Sequence, residues 1–263
     1  MDYELLCTKV IAITRLTGNF IRKESMSFDA TAIEFKGLND LVSYVDKTAE
    51  KQLVRNLSKL IPEAGFTTEE KTINTKGEIY NWIIDPLDGT TNFIHGIPTY
   101  SVSVALYEYD QPVVGVVYEI NRAEMFSAYK GGGAYLNNKE IRVSQRPVLS
   151  ECLLATGFPY YQFDQQEQYM NLFAEMMQKC HGLRRIGSAA VDLAYVACGR
   201  FDAFFEYNLN AWDVAAGAYI VQQAGGQIMN FEGTEEFIEK RQILATNGKI
   251  DQEILDLMKK HFK

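Results

Sequence analysis

Histidine and cysteine are scarce in this chain. Three histidines and four cysteines are spread over 263 residues. No two histidines stand at H-x-x-x-H spacing, and Cys7, Cys152, Cys180 and Cys198 form no C-x-x-C pair. This argues against the common zinc sites and a thioredoxin-like redox motif. Reduced cysteines of a cytoplasmic protein are the simplest reading. A metal in such a chain is held mainly by oxygen, which points to magnesium, manganese or calcium. Long apolar runs are missing too: nothing approaches the ~18 residues of a membrane span. Asp2, Glu4, Lys9 and Arg15 break up the N-terminal segment, unlike a secretory signal. The chain is read as cytoplasmic, with no membrane partner. Basic charge is also short. Lys and Arg total 26 against 34 Asp and Glu, a net charge of −8. That argues against direct nucleic-acid contact. It leaves room for a small anion where metal ions supply local positive charge.

What is present is a large apolar complement. Hydrophobic residues make up 47% of the chain, with 15 Tyr and 15 Phe, enough for one large domain or two intimately packed halves. Residues 4–21 carry apolar side chains at three- and four-residue steps and predict an amphipathic helix. Leu41, Val45, Ala49, Leu53, Leu57 and Leu60 predict a second, N-capped by Asp40 and stopped by Pro62. The period then changes. Residues 80–85, 100–109, 112–120 and 124–130 read as successive strands, with turns near Tyr109–Pro112 and Asn121–Arg122. The glycines of "KGGGAYLNN" lack dinucleotide or P-loop spacing and read as a turn and a hairpin. Beyond about residue 146, strands near 152–158, 201–207, 225–231 and 243–247 alternate with helices over 165–179, 188–199, 211–224 and 249–261. Residues 1–145 thus read as an α+β half and 146–263 as an α/β half of one unit.

One stretch concentrates chemistry: "WIIDPLDGTTNF", residues 82–93. An apolar strand runs into Asp85, and Pro86 cannot continue a ladder. The Leu87 carbonyl and the Asp88 carboxylate follow, a set of oxygens suited to hard divalent cations. Gly89 permits unusual backbone angles, and Thr90 or Thr91 can start a helix whose N–H groups attract phosphate. The plainer alternative is a D-G turn with Asp85 as an ordinary cap.

Together with "LNAWDVAAGAYIVQQAGG" at residues 209–226, that stretch resembles the inositol monophosphatase family of magnesium-dependent sugar-phosphate phosphatases. The resemblance covers nearly the whole chain in the same order. It implies a layered α-β-α-β-α sandwich, two or three Mg2+ per site with Mn2+ as a substitute, lithium sensitivity and a homodimer. It also implies roles. Glu69 and Asp85 would bridge metals, Leu87 would give its carbonyl, and Asp88 and Asp213 would complete the set. Thr68 and Lys71 stand where the family usually has Gly and Ser, so Glu70 stays open as the alternative ligand. Thr90 would pair with Asp46 to position the attacking water. Asp88, Gly89, Thr90 and Thr91, with Gly187, Ser188, Ala189, Glu206 and Asp213, would face the substrate, and Lys36 matches a lysine near the site. His95 is expected to pack or bond locally rather than bind metal.

The implied reaction is hydrolysis of a phosphate monoester, myo-inositol monophosphate first, by metal-activated water. Fructose 1,6-bisphosphate, histidinol phosphate, 3′-phosphoadenosine 5′-phosphate and NADP are the alternatives within the superfamily. Thr91-Asn92-Phe93 after the D-G-T step favours sugar phosphates over the nucleotide. A regulatory role on a protein partner is the rival of a different class, since some bacterial relatives are thought to bind the transcription machinery.

Overall fold

The computed structural model describes residues 1–27, 33–37, 40–160 and 163–262, with the side chains of 33–37 and 40–43 left outside the description. Two large sheets, a separate two-stranded pair and three layers of helix account for it. The chain opens with α1 (Tyr3–Ser25), a hairpin of β1 (Ile33–Gly37) and β2 (Asp40–Ser43), and α2 (Tyr44–Leu57). A seven-stranded sheet follows, made of β3 (Gly65–Thr68), β4 (Tyr80–Asp88), β5 (Ser101–Glu108), β6 (Gln111–Glu119), β7 (Glu124–Tyr129), β8 (Gly133–Leu136) and β9 (Lys139–Glu140). Its strands lie in chain order; only β3 and β4 run parallel, the rest being antiparallel. The short helix α3 (Thr90–Ile94) follows β4.

The second sheet has the order β11-β10-β12-β14-β13. Its members are β10 (Leu153–Thr156), β11 (Gly182–Arg184), β12 (Ala203–Tyr207), β13 (Gln227–Met229) and β14 (Gln242–Thr246). The helices between and after them are α4 (Gln166–Lys179), α5 (Ala189–Ala197), α6 (Ala211–Gln223) and α7 (Asp251–His261).

Three apolar clusters define the layers. Leu6, Val10 and Ile21 of α1 and Val45, Ala49 and Leu53 of α2 pack on Trp82, Ile84 and Val104 of the large sheet. The opposite face of that sheet, with Ala105, Val117 and Phe126, meets the small residues of α5 and α6 and, beyond them, Ala155, Phe204 and Ala245 of the second sheet. Leu154, Phe205 and Leu244 on the far face of the second sheet pack against Tyr169 and Leu172 of α4 and Ile254 and Met258 of α7. The result is the expected α-β-α-β-α sandwich, with the buried small-residue helices α5 and α6 in the middle.

Several boundaries differ from the sequence reading. The periodicity from Leu41 predicts helix, yet Asp40–Ser43 is strand β2 and the helix starts at Tyr44, so Asp40 is not its N-cap. Four residues with only Leu41 and Val42 apolar are too few to fix a period, and pairing with β1 decides. Pro86 does not end β4 either. The strand continues to Asp88 through a register shift between Asp85 and Asp88 opposite β5, an irregularity of the kind that accommodates a residue without an N–H. β3 and β11 are too short to show a period. β14 runs antiparallel to both β12 and β13, so the second sheet has one reversed strand, next to its β13 edge.

The α6 layer lies close on the large sheet. A Cβ at Gly115 of β6 would stand 2.9 Å from the Ala216 carbonyl oxygen and 3.3 Å from the Tyr219 ring. Gly115→Val should therefore push α6 off the sheet and lower stability by about 2 kcal/mol. The expected readout is a lower urea midpoint with an unchanged m-value.

Candidate active site

The two parallel strands begin the site. β3 ends at Thr68, paired with Ile84, and the Glu69 N–H donates to the Ile84 carbonyl at 3.3 Å. Glu69 thus comes to lie beside Asp85. Alternation along β4 turns Trp82 and Ile84 toward α1 and α2 and Ile83 toward α5 and α6. Asp85 shares the Ile83 side and is fully buried. Its Oδ1 accepts from the Leu87 N–H at 2.9 Å. The register shift then presents Asp88 to the start of α5. There Asp88 Oδ2 accepts from the Ser188 hydroxyl at 2.6 Å and the Ala190 N–H at 2.8 Å. Asp213, the third residue of α6, accepts from the Asn210 N–H at 2.6 Å, as a carboxylate in a first helical turn should.

These four carboxyl groups share one environment. Burial pushes Glu69 well up from its ordinary value, and the charges of Asp213, Glu70 and Asp46 push it further. Asp85 is raised well up by burial and by Glu69, Asp88 and Asp213. Burial raises Asp88 to about 6 against the pull of the Ser188 and Ala190 donors. Asp213 rises to about 7 through burial and the Asp88 charge. Among the described residues, none of the ion pairs involves any of the four. Glu69 Oε2 is buried without a hydrogen-bond partner. No three acidic, histidine or cysteine side chains among the described residues form a ready-made cage for an ion. Magnesium keeps several waters and takes one or two carboxylates plus substrate oxygens at each ion. The donor set, all oxygen and short of positive charge, fits divalent cations.

Beside this cluster, the Thr90 hydroxyl stands 2.8 Å from Asp46 Oδ1 and 2.9 Å from the Leu87 carbonyl oxygen. Having one proton, it donates to one of them at a time. Asp46 is fully buried in the first turn of α2, not mid-helix as its place in the longer predicted helix implies. Gly89 takes φ +96°, and a Cβ there would come 3.1 Å from the Thr99 carbonyl and 3.2 Å from that of Gly187. Asn92 ties the two loops together, donating to the carbonyls of Thr99 and Ile186, each at 2.8 Å.

Next to the carboxylates lies a cleft of about 140 Å³, lined by Asp88, Gly187, Ser188, Ala189, Glu206 and Asp213 among the expected residues. Burial raises Glu206 to about 8, while Arg185 opposes the shift. Thr91 is exposed on α3 and does not line this cleft. His95 is exposed as well. Lys36 lies in β1, and its side chain falls outside the described residues.

Sequence reasoning missed four contributors. Glu50 is fully buried one turn beyond Asp46. Its Oε1 accepts from the Thr68 hydroxyl and from the N–H and hydroxyl of Thr72, and its Oε2 from the Glu70 N–H, all within 2.9 Å. It anchors the loop that carries Glu69. An acid among Val45, Ala49 and Leu53 on the apolar face was the available signal. Arg185, Asp192 and Gly157 also line the cleft. Asp192 is the lone charge in "AAVDLAYVA".

The five layers and the acidic cleft at the end of β4 define a protein of the layered inositol monophosphatase fold. Comparison with known proteins agrees: the inositol monophosphatase family profile matches residues 4–262, and the chain belongs to that family. It is 42% identical over 252 residues to the "Nus factor SuhB" of Pseudomonas aeruginosa, covering 94% of this chain and 93% of that protein. It is 38% identical over 261 residues to an "Inositol-1-monophosphatase" of Mesorhizobium japonicum, covering 99% and 98%. The crystal structure of extragenic suppressor protein suhB from Bartonella henselae superposes with a TM-score of 0.92 at 37% identity, covering 97% of this chain and 99% of that one. An inositol monophosphatase from Anabaena superposes at 0.87 with 31% identity, covering 99% and 98%. Among the described residues no helix is long and apolar enough to cross a membrane.

The raised carboxyls set a pH dependence. For an acid whose folded pKa lies above its unfolded one, the folded state binds more protons between the two values, so stability falls as pH rises through that window. Unfolded Asp and Glu titrate near 4, and the folded groups reach about 6, 7 and 8 for Asp88, Asp213 and Glu206. Metal-free protein should lose melting temperature between about pH 4 and pH 8. Added magnesium should restore more at pH 8 than at pH 5; thermal melts with and without EDTA read both.

Proposed function

We propose that this protein is a magnesium-dependent phosphatase that hydrolyses phosphate monoesters of small polyols, with myo-inositol monophosphate as its substrate. The observation that carries this reading is the electrostatic coupling of the buried Glu69, Asp85, Asp88 and Asp213, two of which line the cleft, near the Thr90–Asp46 pair. Glu69, Asp85, the Leu87 carbonyl, Asp88 and Asp213 would hold two or three Mg2+ ions, with Mn2+ as a substitute. Such ions neutralise a phosphate dianion, lower the pKa of a water and stabilise the leaving oxygen. Glu69 is assigned over Glu70 on the family resemblance, and the charges of Asp213, Glu70 and Asp46 bear on it.

The chain's own residues then do the following. Thr90, directing its proton to Asp46 Oδ1, keeps lone pairs to accept from the attacking water and orient it. Asp46 and Glu69 take up the proton that the water gives away. Gly89, Thr90 and Thr91 at the turn into α3 receive the phosphoryl group, and Thr91, outside the cleft, contributes main chain. Gly187, Ser188 and Ala189 form the opposite wall, and Glu206 accepts from leaving-group hydroxyls. Lys36 is retained as a nearby cation, and a homodimer in the cytoplasm as the working form, on family resemblance.

A second reading rests on the relatives named Nus factor SuhB. Here the protein acts by binding a protein partner, as its net charge of −8 favours over direct nucleic-acid contact.

Phosphate release with magnesium, across inositol 1-phosphate, fructose 1,6-bisphosphate, histidinol phosphate, 3′-phosphoadenosine 5′-phosphate and NADP, tests the first reading. Inositol 1-phosphate should lead. No release from any of them, with magnesium or manganese, would put the partner-binding reading first. Asp88→Asn should lower kcat at least about 100-fold. Thr90→Ala should lower kcat while leaving magnesium affinity by calorimetry within about twofold. An equal loss of both would make Thr90 structural.

A further inference from the structure

Asp192 is a buried acid with no explanation in the scheme above. It sits in the first turn of α5 and is 1% exposed. Its Oδ1 is buried and has no protein hydrogen-bond partner. The other fully buried acids each accept from a neighbour: Asp46 from Thr90, Glu50 from Thr68 and Thr72, Asp85 from Leu87, Glu119 from Arg122, and Asp202 from Leu153. A buried carboxyl left without a donor is costly. Folding alone gives no reason to keep one.

Its position supplies the reason. Asp192 lines the same cleft as Glu206, Asp88 and Asp213. On α5 it lies four residues beyond Ser188, whose hydroxyl holds Asp88, so one helical face carries both. Across the cleft, the Glu206 carboxyl lies directly over Gly157, where a Cβ would come within 2.1 Å of Glu206 Oε2. Two acceptors therefore front one small cavity. Arg185 bears on both, lowering Glu206 and Asp192 against their burial, and its guanidinium stacks on the Phe158 and Tyr160 rings. A cation already faces the pair, so neutral hydroxyl donors complement it better than an ammonium group.

We propose that Asp192 is a specificity-determining residue whose Oδ1 accepts a hydroxyl of the leaving group, so that Asp192 and Glu206 together clasp the hydroxyls of a polyol ring. This rests on the phosphatase reading above. The cost of the unpartnered oxygen is recovered when the substrate's hydroxyl donates to it, a difference expressed in binding rather than in the bond-breaking step.

The test uses the full chain with Asp192→Leu and Asp192→Asn. Kinetics are measured on inositol 1-phosphate, histidinol phosphate and p-nitrophenyl phosphate, whose leaving group donates nothing to the cleft. Asp192→Leu should raise KM for inositol 1-phosphate about 10-fold or more and leave kcat/KM for p-nitrophenyl phosphate within about twofold. Asp192→Asn, which keeps one oxygen acceptor, should fall between. Melting temperature of the metal-free variants should hold or rise. Parallel losses on both esters, an unchanged KM for inositol 1-phosphate, or a lower melting temperature for both variants would overturn the proposal. A loss confined to histidinol phosphate would overturn the hydroxyl assignment in favour of an ammonium group. If the unaltered protein hydrolyses none of the esters, the phosphatase reading fails on its own. The melting temperatures then still decide Asp192: a rise in both variants supports an acceptor kept open for a ligand, and a fall overturns it.

Discussion

Like charges brought together out of water need a counter-charge, and the architecture of this protein is arranged around that constraint. Glu69, Asp85, Asp88 and Asp213 meet near the end of β4; burial raises the proton affinity of each, and the repulsion of neighbouring carboxylates adds to it at Glu69, Asp85 and Asp213. The chain does not neutralise them with lysine or arginine among the described residues. It orients them instead. The Leu87 N–H holds Asp85, Ser188 and Ala190 hold Asp88, and the Asn210 N–H holds Asp213. Each of these fixes one oxygen by a neutral donor and leaves carboxylate character for a cation. Under the phosphatase reading, such a site would carry an electrostatic cost without cations that cation binding would offset.

Holding such a cluster together demands rigid supports from separate layers. β3 and β4 bring Glu69 beside Asp85 through parallel pairing. The register shift at Pro86 redirects Asp88 toward α5. α6 delivers Asp213 from the middle layer, pressed against the glycine of β6. Two buried polar residues lock the loops. Glu50 gathers four donors of the 68–72 segment, and Asn92 joins the loop after β4 to the one before α5. Satisfied buried networks of this kind specify one arrangement.

The legibility of these features in the sequence varied with their range. The carboxylates of "WIIDPLDGTTNF" and "AWDVAAG" stand out because oxygen ligands in a short span are a local pattern. The six long helices were legible within a few residues, except at the start of α2, where strand pairing of Asp40–Ser43 overrides an apolar period. β3 and β11, at four and three residues, carry no period at all. Glu50 and Asp192 were hidden for a different reason. Each is an acid on an apolar helix face, and its role depends on partners or a cavity brought from distant parts of the chain.

The sequence by itself determined the kind of chemistry available: oxygen donors for a hard cation, too few histidines and cysteines for zinc, and the residue types of one family. Spacing along a strand or helix is a property of neighbouring residues, so it can be read from neighbours. Tertiary structure alone decided that Glu69 comes to lie beside Asp85, at the end of the parallel β3–β4 pair. It also decided that Asp88 is held by the start of α5 as well as by β4, and that Asp192, with a buried Oδ1 that has no hydrogen-bond partner, lines the same cleft as Glu206. Those outcomes follow from the register of β3 on β4 and the packing of α5 and α6 between the two sheets. They are relations between segments as much as 100 residues apart, such as Asp88 and Ser188, which no local pattern encodes.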